Sequence, residues 1–301
     1  MTPNSLNFVF FGTSPVAVGV LDALALNGYV PTLLVTTPDA LAGRKLTLTP
    51  PPAKLWAQAN GVPVLQPKKL DKEFTTHLAS FSCNLFIVAS YGLIIPRRVL
   101  ELPKHGILNV HPSLLPKYRG PSPIQTAILN GDTETGVDMM LMDEKMDEGP
   151  ILAEERVPLD GTEVNEELEL QLATIGGKLL ARVIPDWLAG AITPRAQEHA
   201  EATYTRKFEK SDGFIDPQLT NAARSDVTVR SDLAAVQEAE RKVRALANTP
   251  GTYTVLKTKY DKEMRVKIIS ATIKDECLLP LRVTPEGKKE MSWDDFKRGY
   301  L

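Results

Sequence analysis

Two polar side chains lie two residues apart at the end of an apolar run. Asn109 and His111 belong to the segment GILNVHPS, residues 106–113. In an extended chain, side chains at positions i and i+2 point to the same face, and Pro112 pushes His111 towards an extended backbone. An amide and an imidazole are therefore expected to point together at the end of this run.

A carboxylate near these two side chains would strengthen a catalytic interpretation. The segment MDEKMDEGP, residues 142–150, offers four acids between two predicted strands: Asp143, Glu144, Asp147 and Glu148. The pattern by itself does not choose among them. A histidine beside an apolar run is more often structural, and an acidic loop between strands is more often only a solvated turn.

Other common chemistries find little support in the sequence. The two cysteines, Cys83 and Cys277, lack the spacing of a zinc site or a disulfide framework, and we expect no metal. The first predicted strand ends in GTSP, with one glycine where the dinucleotide fingerprint G-x-G-x-x-G needs three, which argues against NAD.

Composition indicates an ordinary globular chain long enough for two domains. Of the 301 residues, 43% are hydrophobic and 24% are charged, and the net charge is −2. The segment MTPNSLNFVFFG lacks the basic residues and the long apolar run typical of a signal peptide, and no run approaches the length that spans a bilayer. We therefore expect a cytoplasmic protein that does not bind membranes. Nothing in the sequence demands an oligomer, and we expect a monomer.

Strands and helices alternate through the first 190 residues. Apolar segments at 7–12, 29–37, 83–92 and 106–113 predict strands, and segments at 136–143 and 151–159 predict a strand pair. Residues 13–28 predict a helix that Ser14 or Thr13 caps and Pro15 begins. Shorter helices are expected near 54–58 and 122–131, and a long amphipathic one at 163–189. This order predicts an α/β fold with a Rossmann-like, mostly parallel sheet flanked by helices.

The pattern changes after the long helix. We expect an N-terminal domain at 1–190, a polar linker at 191–207 and a smaller, mainly β domain at 208–301. Short β-like runs such as GTYTVL and MRVKIIS indicate that the last domain is barrel-like, of the oligonucleotide-binding type.

These segments carry a resemblance that covers residues 1–207 well and 208–301 weakly. HPSLLPKYRGPSPIQTAILNGDTETGV followed by MDEGPIL resembles the folate-dependent formyltransferase family. GRKLTLTPPPAKLWAQANGVPVLQP (43–67) and ASYGLIIP (89–96) are similar to the members that formylate methionyl-tRNA. The resemblance implies transfer of a formyl group from 10-formyltetrahydrofolate to the α-amino group of initiator methionyl-tRNA.

The resemblance also implies roles for the polar residues. Asn109 and a protonated His111 would stabilise the negative oxygen that develops when the amine attacks the formyl carbon. Asp147 matches the catalytic Asp of the family and would hold His111 charged while it helps to remove the amine proton.

The remaining site residues are likewise implied by matching positions. The folate would lie along Tyr91, Gly92, Leu93, Ile94, Ser113, Leu114, Leu115, Pro116, Met142 and Asp143, with a cis bond before Pro116. The amine substrate would border Gly12, Thr13 and Ser14, although a helix cap explains these three equally well. Residues 31–69 carry five cations and one acid, and Arg44 and Lys45 in this basic stretch would contact tRNA phosphates.

Three alternative functions are compatible with Asn109, His111 and Asp147, named here the trio. A related formyltransferase would act on a nucleotide-linked amino sugar, a non-catalytic module would only bind folate or RNA, and a hydrolase would pass the formyl group to water. The basic stretch and the additional C-terminal domain favour the tRNA substrate, and the intact trio favours catalysis.

Overall fold

The computed structural model describes residues 6–42, 47–220 and 232–301. Their internal contacts group them into two compact units. The N-terminal unit contains the described residues up to 120 together with 134–158 and 166–204. The C-terminal unit contains 121–133, 159–165 and the described residues from 205 onwards. Domain limits at 190 and 208 stay a prediction.

A seven-stranded, mostly parallel sheet forms the N-terminal unit, as the sequence predicts. The strands of this unit are β1 (Phe8–Gly12), β2 (Leu33–Val35), β3 (Ala40–Ala42), β4 (Thr47–Thr49), β5 (Val64–Leu65), β6 (Leu85–Ala89), β7 (Ile107–His111), β8 (Glu134–Leu141) and β9 (Ile151–Pro158). The sheet order is β5-β2-β1-β6-β7-β8-β9, and β3 pairs separately with β4. The first five strands in this sheet order, β5 to β7, are parallel, whereas β8 runs antiparallel to both of its neighbours.

Eight α-helices lie in the described part of the chain. They are α1 (Pro15–Leu26), α2 (Pro52–Ala59), α3 (Lys72–Ala79), α4 (Arg97–Leu100), α5 (Pro123–Asn130), α6 (Asn165–Leu188), α7 (Leu233–Leu246) and α8 (Trp293–Tyr300). Helix α1 begins as predicted, because Ser14 Oγ accepts the backbone N–H of Val16 at 3.2 Å and Pro15 occupies the first position. Every residue of β1, β6 and β7 is buried, as expected for central strands of a parallel sheet.

Helix α6 approaches the sheet and α1 closely through small residues. A Cβ at Gly176 would lie 2.5 Å from Val110 Cγ1, in the strand that carries Asn109 and His111. A Cβ at Gly177 would lie 2.5 Å from the Cβ of Ala23 in α1. Glycine at both positions lets the helix backbone pack directly behind β7.

Two predicted strands are shorter than the apolar runs suggested. Strand β2 covers only Leu33–Val35 of the predicted 29–37, and the run contains Pro31, which lacks the N–H that a central strand needs. Strand β6 ends at Ala89 instead of at residue 92, because Ser90 adopts a φ of 50° and turns the chain out of the sheet.

The C-terminal unit contains the antiparallel sheet that the sequence predicts. Its strands are β10 (Thr252–Lys257), β11 (Glu263–Lys274), β12 (Cys277–Pro285) and β13 (Met291–Ser292), in that order. The sequence reading missed α7, although Val236, Val243 and Leu246 are buried at helical spacing on one face. Within the described ranges, the two edge strands do not pair with each other, so closure into a barrel stays a prediction.

Two kinds of feature are absent from the described residues. No helix among them is long and apolar enough to cross a membrane. No group of three or more His, Cys, Asp or Glu side chains in these residues is arranged to hold a metal ion.

Candidate active site

Strand β7 presents the predicted pair at its carboxyl end. Asn109 is 8% exposed and His111 is 4% exposed, so both polar side chains are withdrawn from solvent. Alternation along the strand places them on one face. Buried polar groups need partners, and the partners of these two come from loops that follow β7 and β8.

Asp147, in the loop after β8, meets both side chains. Its Oδ1 accepts from Asn109 Nδ2 at 3.4 Å and lies 3.8 Å from His111 Nδ1. Its Oδ2 accepts the backbone N–H of Gly120 at 2.8 Å. Among the four acids that the sequence left open, Asp147 is therefore the one that the fold brings to the amide and the imidazole.

The other imidazole nitrogen fixes the tautomer. His111 Nε2 lies 3.1 Å from the backbone carbonyl of Tyr118, and a carbonyl oxygen only accepts hydrogen bonds, so Nε2 carries a proton. Nδ1 faces the Asp147 carboxylate. A second proton on Nδ1 would complete an imidazolium–carboxylate pair, whereas a bare Nδ1 would direct its lone pair at a negative charge.

The turn that carries Asp147 has an unusual backbone. Asp147 has a φ of 54°, in the left-handed region that aspartate tolerates better than most residues. Lys145, two residues earlier, has no positive φ, and its N–H donates to Asp143 Oδ1 at 2.9 Å. The lysine therefore adds no backbone strain to this loop.

A tight loop follows His111 and contains part of the predicted folate site. Ser113 Oγ donates to the carbonyl of Lys117 at 2.7 Å, and the Leu115–Pro116 peptide bond is cis, as the resemblance implies. The backbone N–H of Leu115 donates to Asp138 Oδ2 at 2.7 Å. Leu114 contacts the sheet at Gly136, where a Cβ would lie 2.4 Å from a Leu114 methyl group.

Asp138, on β8, is a buried carboxyl group that the sequence analysis did not single out. It stands directly opposite His111 on β7 and opposite Glu154 on β9 in the strand register, and it is fully buried. Desolvation is the main cause that raises its pKa to about 7, and the hydrogen bond from Leu115 opposes the rise.

The remaining predicted folate residues lie in loops beside β6 and β8. Tyr91 packs edge-on against Phe11, with its hydroxyl buried and without a hydrogen-bond partner in the described residues. Burial raises the pKa of Tyr91 to about 12. Leu93 and Met142 pack against the same apolar cluster, whereas Gly92 and Asp143 are exposed and Ile94 is 91% exposed. The contact of these residues with folate stays a prediction.

The loop after β1 has a structural role of its own. The Thr13 N–H donates to the carbonyl of Ser90 at 3.1 Å, and Ser14 Oγ donates to Ser90 Oγ at 2.7 Å. Gly12 leaves no space for a Cβ, which would lie 2.6 Å from the Phe10 ring. The cap on α1 is present, and contact with the amine substrate stays a prediction.

The basic stretch lies partly outside the described residues. Arg44 and Lys45, the predicted tRNA contacts, lie outside the described residues. Lys54 forms an ion pair with Asp39 at 2.8 Å, which neutralises one of the five cations. Lys68 and Lys69 are exposed.

Sequence reasoning also missed two residues behind Asp147. Arg119 is 1% exposed, and two of its nitrogens donate to Gln197 Oε1 at 2.7 and 3.1 Å. Gln197 belongs to the segment expected to be a linker. Arg119 stands in the quoted motif, whereas a single glutamine in an irregular polar segment carries no pattern that points to a site.

The chain is similar to known proteins over most of its length. The profile of the family described as "Formyl transferase" matches residues 6–184. The methionyl-tRNA formyltransferase of Halorhodospira halophila is 42% identical over 81% of this chain and 74% of its own. That of Herpetosiphon aurantiacus is 36% identical over 98% of both chains.

A solved structure shows the same fold at lower identity. The N-formyltransferase from Helicobacter canadensis, solved with folinic acid and dTDP-3-aminofucose, has a TM-score of 0.59 at 19% identity and covers 89% of this chain and 88% of its own. Identity this low supports the fold alone. The family match and the full-length relatives together show that the chain belongs to the formyl transferase family, among its methionyl-tRNA formyltransferases.

Proposed function

We propose that this chain transfers a formyl group from 10-formyltetrahydrofolate to the α-amino group of initiator methionyl-tRNA. The observation that carries the proposal is the convergence of Asn109, His111 and Asp147 from β7 and the loop after β8. The full-length relatives bear the same activity in their names. A reaction on initiator tRNA belongs in the cytoplasm, where we propose that the chain acts as a monomer.

The reaction needs no covalent enzyme intermediate. The neutral amine attacks the formyl carbon, a carbon–nitrogen bond forms, and the carbonyl oxygen becomes negative. Asn109 Nδ2 has two hydrogens, so it can donate one to Asp147 and the other to this oxygen. A protonated His111 would stabilise the same oxygen through its positive charge.

Collapse of the intermediate breaks the bond between the formyl carbon and N10 of the folate. The amine gives up one proton and N10 takes one, so the overall reaction releases no net proton. Asp147 would accept the amine proton, directly or through a water molecule. The α-amino group has an ordinary pKa of about 8, so an appreciable fraction is already neutral near pH 7.

We assign the folate to the loops around the trio. Ser113 to Pro116 and the start of the acidic loop, Met142 and Asp143, would lie along the donor, together with Tyr91 to Ile94. Gly12 to Ser14 would border the methionyl group. Arg44 and Lys45 would pair with phosphates of the tRNA, which makes binding sensitive to salt.

One comparison of acceptors tests the proposal. Purified chain is incubated with 10-formyltetrahydrofolate and, in separate reactions, methionyl-tRNA, a dTDP-linked amino sugar or no acceptor. We expect formylmethionyl-tRNA, seen as a shifted band on an acid gel, and little product in the other two reactions. Preferential formylation of the sugar, or release of formate without an acceptor at the same rate, would contradict the proposal.

A further inference from the structure

The segment 195–204, named here the strap, joins the two loops that form the site. At its start, Arg195 and Ile151 exchange two backbone hydrogen bonds of 2.8 Å just beyond the Asp147 loop. Near its end, the carbonyl of Thr203 accepts the N–H of Arg119 at 2.9 Å. Thr203 Oγ1 also accepts the N–H of Tyr118 at 2.8 Å. The strap is thus hydrogen-bonded both to the loop after β7 and to the start of β9, which follows the Asp147 loop.

A buried arginine holds the middle of the strap. The Nε and Nη2 of Arg119 both donate to Gln197 Oε1, which orients the amide of Gln197. Nη1 donates to Tyr204 Oη at 3.0 Å and lies 3.5 Å from Glu148 Oε1, and Nη2 also donates to His199 Nδ1 at 2.9 Å. A buried guanidinium with this set of acceptors is strongly held in one position.

The oriented amide of Gln197 then forms hydrogen bonds to the turn that carries Asp147. Gln197 Nε2 donates to the carbonyl of Asp147 at 2.9 Å and to the carbonyl of Gly149 at 2.7 Å. These bonds reach the backbone on which Asp147 adopts its positive φ. An amide is needed because its oxygen serves Arg119 while its nitrogen serves two carbonyl groups.

We propose that Gln197, oriented by Arg119, is a positioning residue that fixes the turn carrying Asp147. Gln197 contacts neither the imidazole of His111 nor the amide of Asn109, so it acts through the turn alone. Its effect on catalysis rests on the proposed function. A shift of about 1 Å at a catalytic group typically costs on the order of a hundredfold in rate. Gln197 therefore affects the rate of transfer more than the binding of either substrate.

The variant Gln197→Glu isolates this role. A carboxylate still accepts both hydrogen bonds from Arg119 but can no longer donate to the two carbonyl groups. Arg195→Gln is the matched control, because Arg195 lies in the same strap and its exposed side chain pairs only with Glu154, at 3.4 Å, among the described residues. A milder variant, Gln197→Asn, keeps the amide and shortens it by one methylene.

Amide hydrogen exchange gives a readout that does not depend on activity. The N–H of Gly120 donates to Asp147 Oδ2, so it reports the position of the carboxylate. We expect it to exchange about tenfold faster or more in Gln197→Glu, with the amides of β7 unchanged. Arg195→Gln should exchange like the wild type.

Kinetics give the catalytic consequence. We expect kcat to fall on the order of tenfold to a hundredfold in Gln197→Glu, with the KM values for both substrates within about threefold. Unchanged exchange at Gly120 in a folded Gln197→Glu variant would overturn the positioning role even if the chain formylated a different acceptor. If Gln197→Glu does not fold, unchanged exchange and unchanged kcat in Gln197→Asn would overturn it.

Discussion

The buried carboxyl group of Asp138 predicts a specific dependence of stability on pH. Its pKa is raised from 3.8 to about 7 in the folded chain, chiefly by burial. The protonated form is therefore favoured by folding. The stability that this group contributes is fully present below pH 3.8 and is lost as the pH rises through about 7.

The expected loss of stability can be calculated for the interval from pH 5 to the folded pKa of Asp138. Between pH 5 and the folded pKa of about 7 lie roughly two pH units, and each is worth about 1.4 kcal/mol, so the wild type should lose about 3 kcal/mol from this group. Asp138→Asn keeps an acceptor for the N–H of Leu115 and cannot ionise. The new amide nitrogen would occupy the buried position of Oδ1, which has no hydrogen-bond partner in the described residues. This lowers the free energy of unfolding by about 1–3 kcal/mol at every pH.

The assay is urea unfolding followed by circular dichroism at pH 5, 6, 7 and 8. We expect Asp138→Asn to be less stable than the wild type at pH 5 and to lose less stability by pH 8. Asp39→Asn is the control, since hydrogen bonds from Gln66 and Lys54 lower the pKa of Asp39 and leave it ionised over this whole range. Parallel pH profiles for the wild type and Asp138→Asn would refute a raised pKa at Asp138.

Two further substitutions, the first with a control in α8, test the packing and the chemistry around β7. Gly176→Ala places a methyl group 2.5 Å from Val110 and should lower the free energy of unfolding by about 1–3 kcal/mol, measured by urea unfolding. Gly299→Ala in α8 meets no atom within 4 Å and should be neutral or slightly stabilising; equal effects of the two changes would contradict the packing account. Asn109→Ala should reduce the single-turnover rate constant of transfer on the order of a hundredfold, with donor binding nearly unchanged, and a wild-type rate constant would rule out Asn109 as an oxyanion donor.

Local sequence rules predicted the elements that hold the pair on β7. Apolar runs ending in glycine or proline located the central strands, and Ser14 with Pro15 located the start of α1. These signals are short-range, because a strand or a cap is decided by a few neighbouring residues. Helix α7 also had its signal in the spacing of buried residues, but β-like runs later in the same region outweighed it.

The rest of the site depends on contacts between distant segments. The residue pattern left four acids of one loop equivalent, and only the family resemblance pointed to Asp147; the fold brings Asp147 to His111 from 36 positions away in the sequence. Gln197 carries no local pattern and gains its role only because Arg119 and two carbonyl groups converge on it. Asp138 reads as one polar residue in an apolar strand, and only its burial between β7 and β9 reveals a titrating group.

The central claim is that Asp147 acts with Asn109 and His111 in formyl transfer. The most direct measurement compares single-turnover formylation of methionyl-tRNA by the wild type, Asp147→Asn and Glu144→Gln. Glu144 is an exposed acid of the same loop that pairs with Arg97 at 3.3 Å. We predict that Asp147→Asn lowers the rate on the order of a hundredfold or more while Glu144→Gln stays near the wild type. A rate for Asp147→Asn within about threefold of the wild type, with both variants folded, would contradict the account.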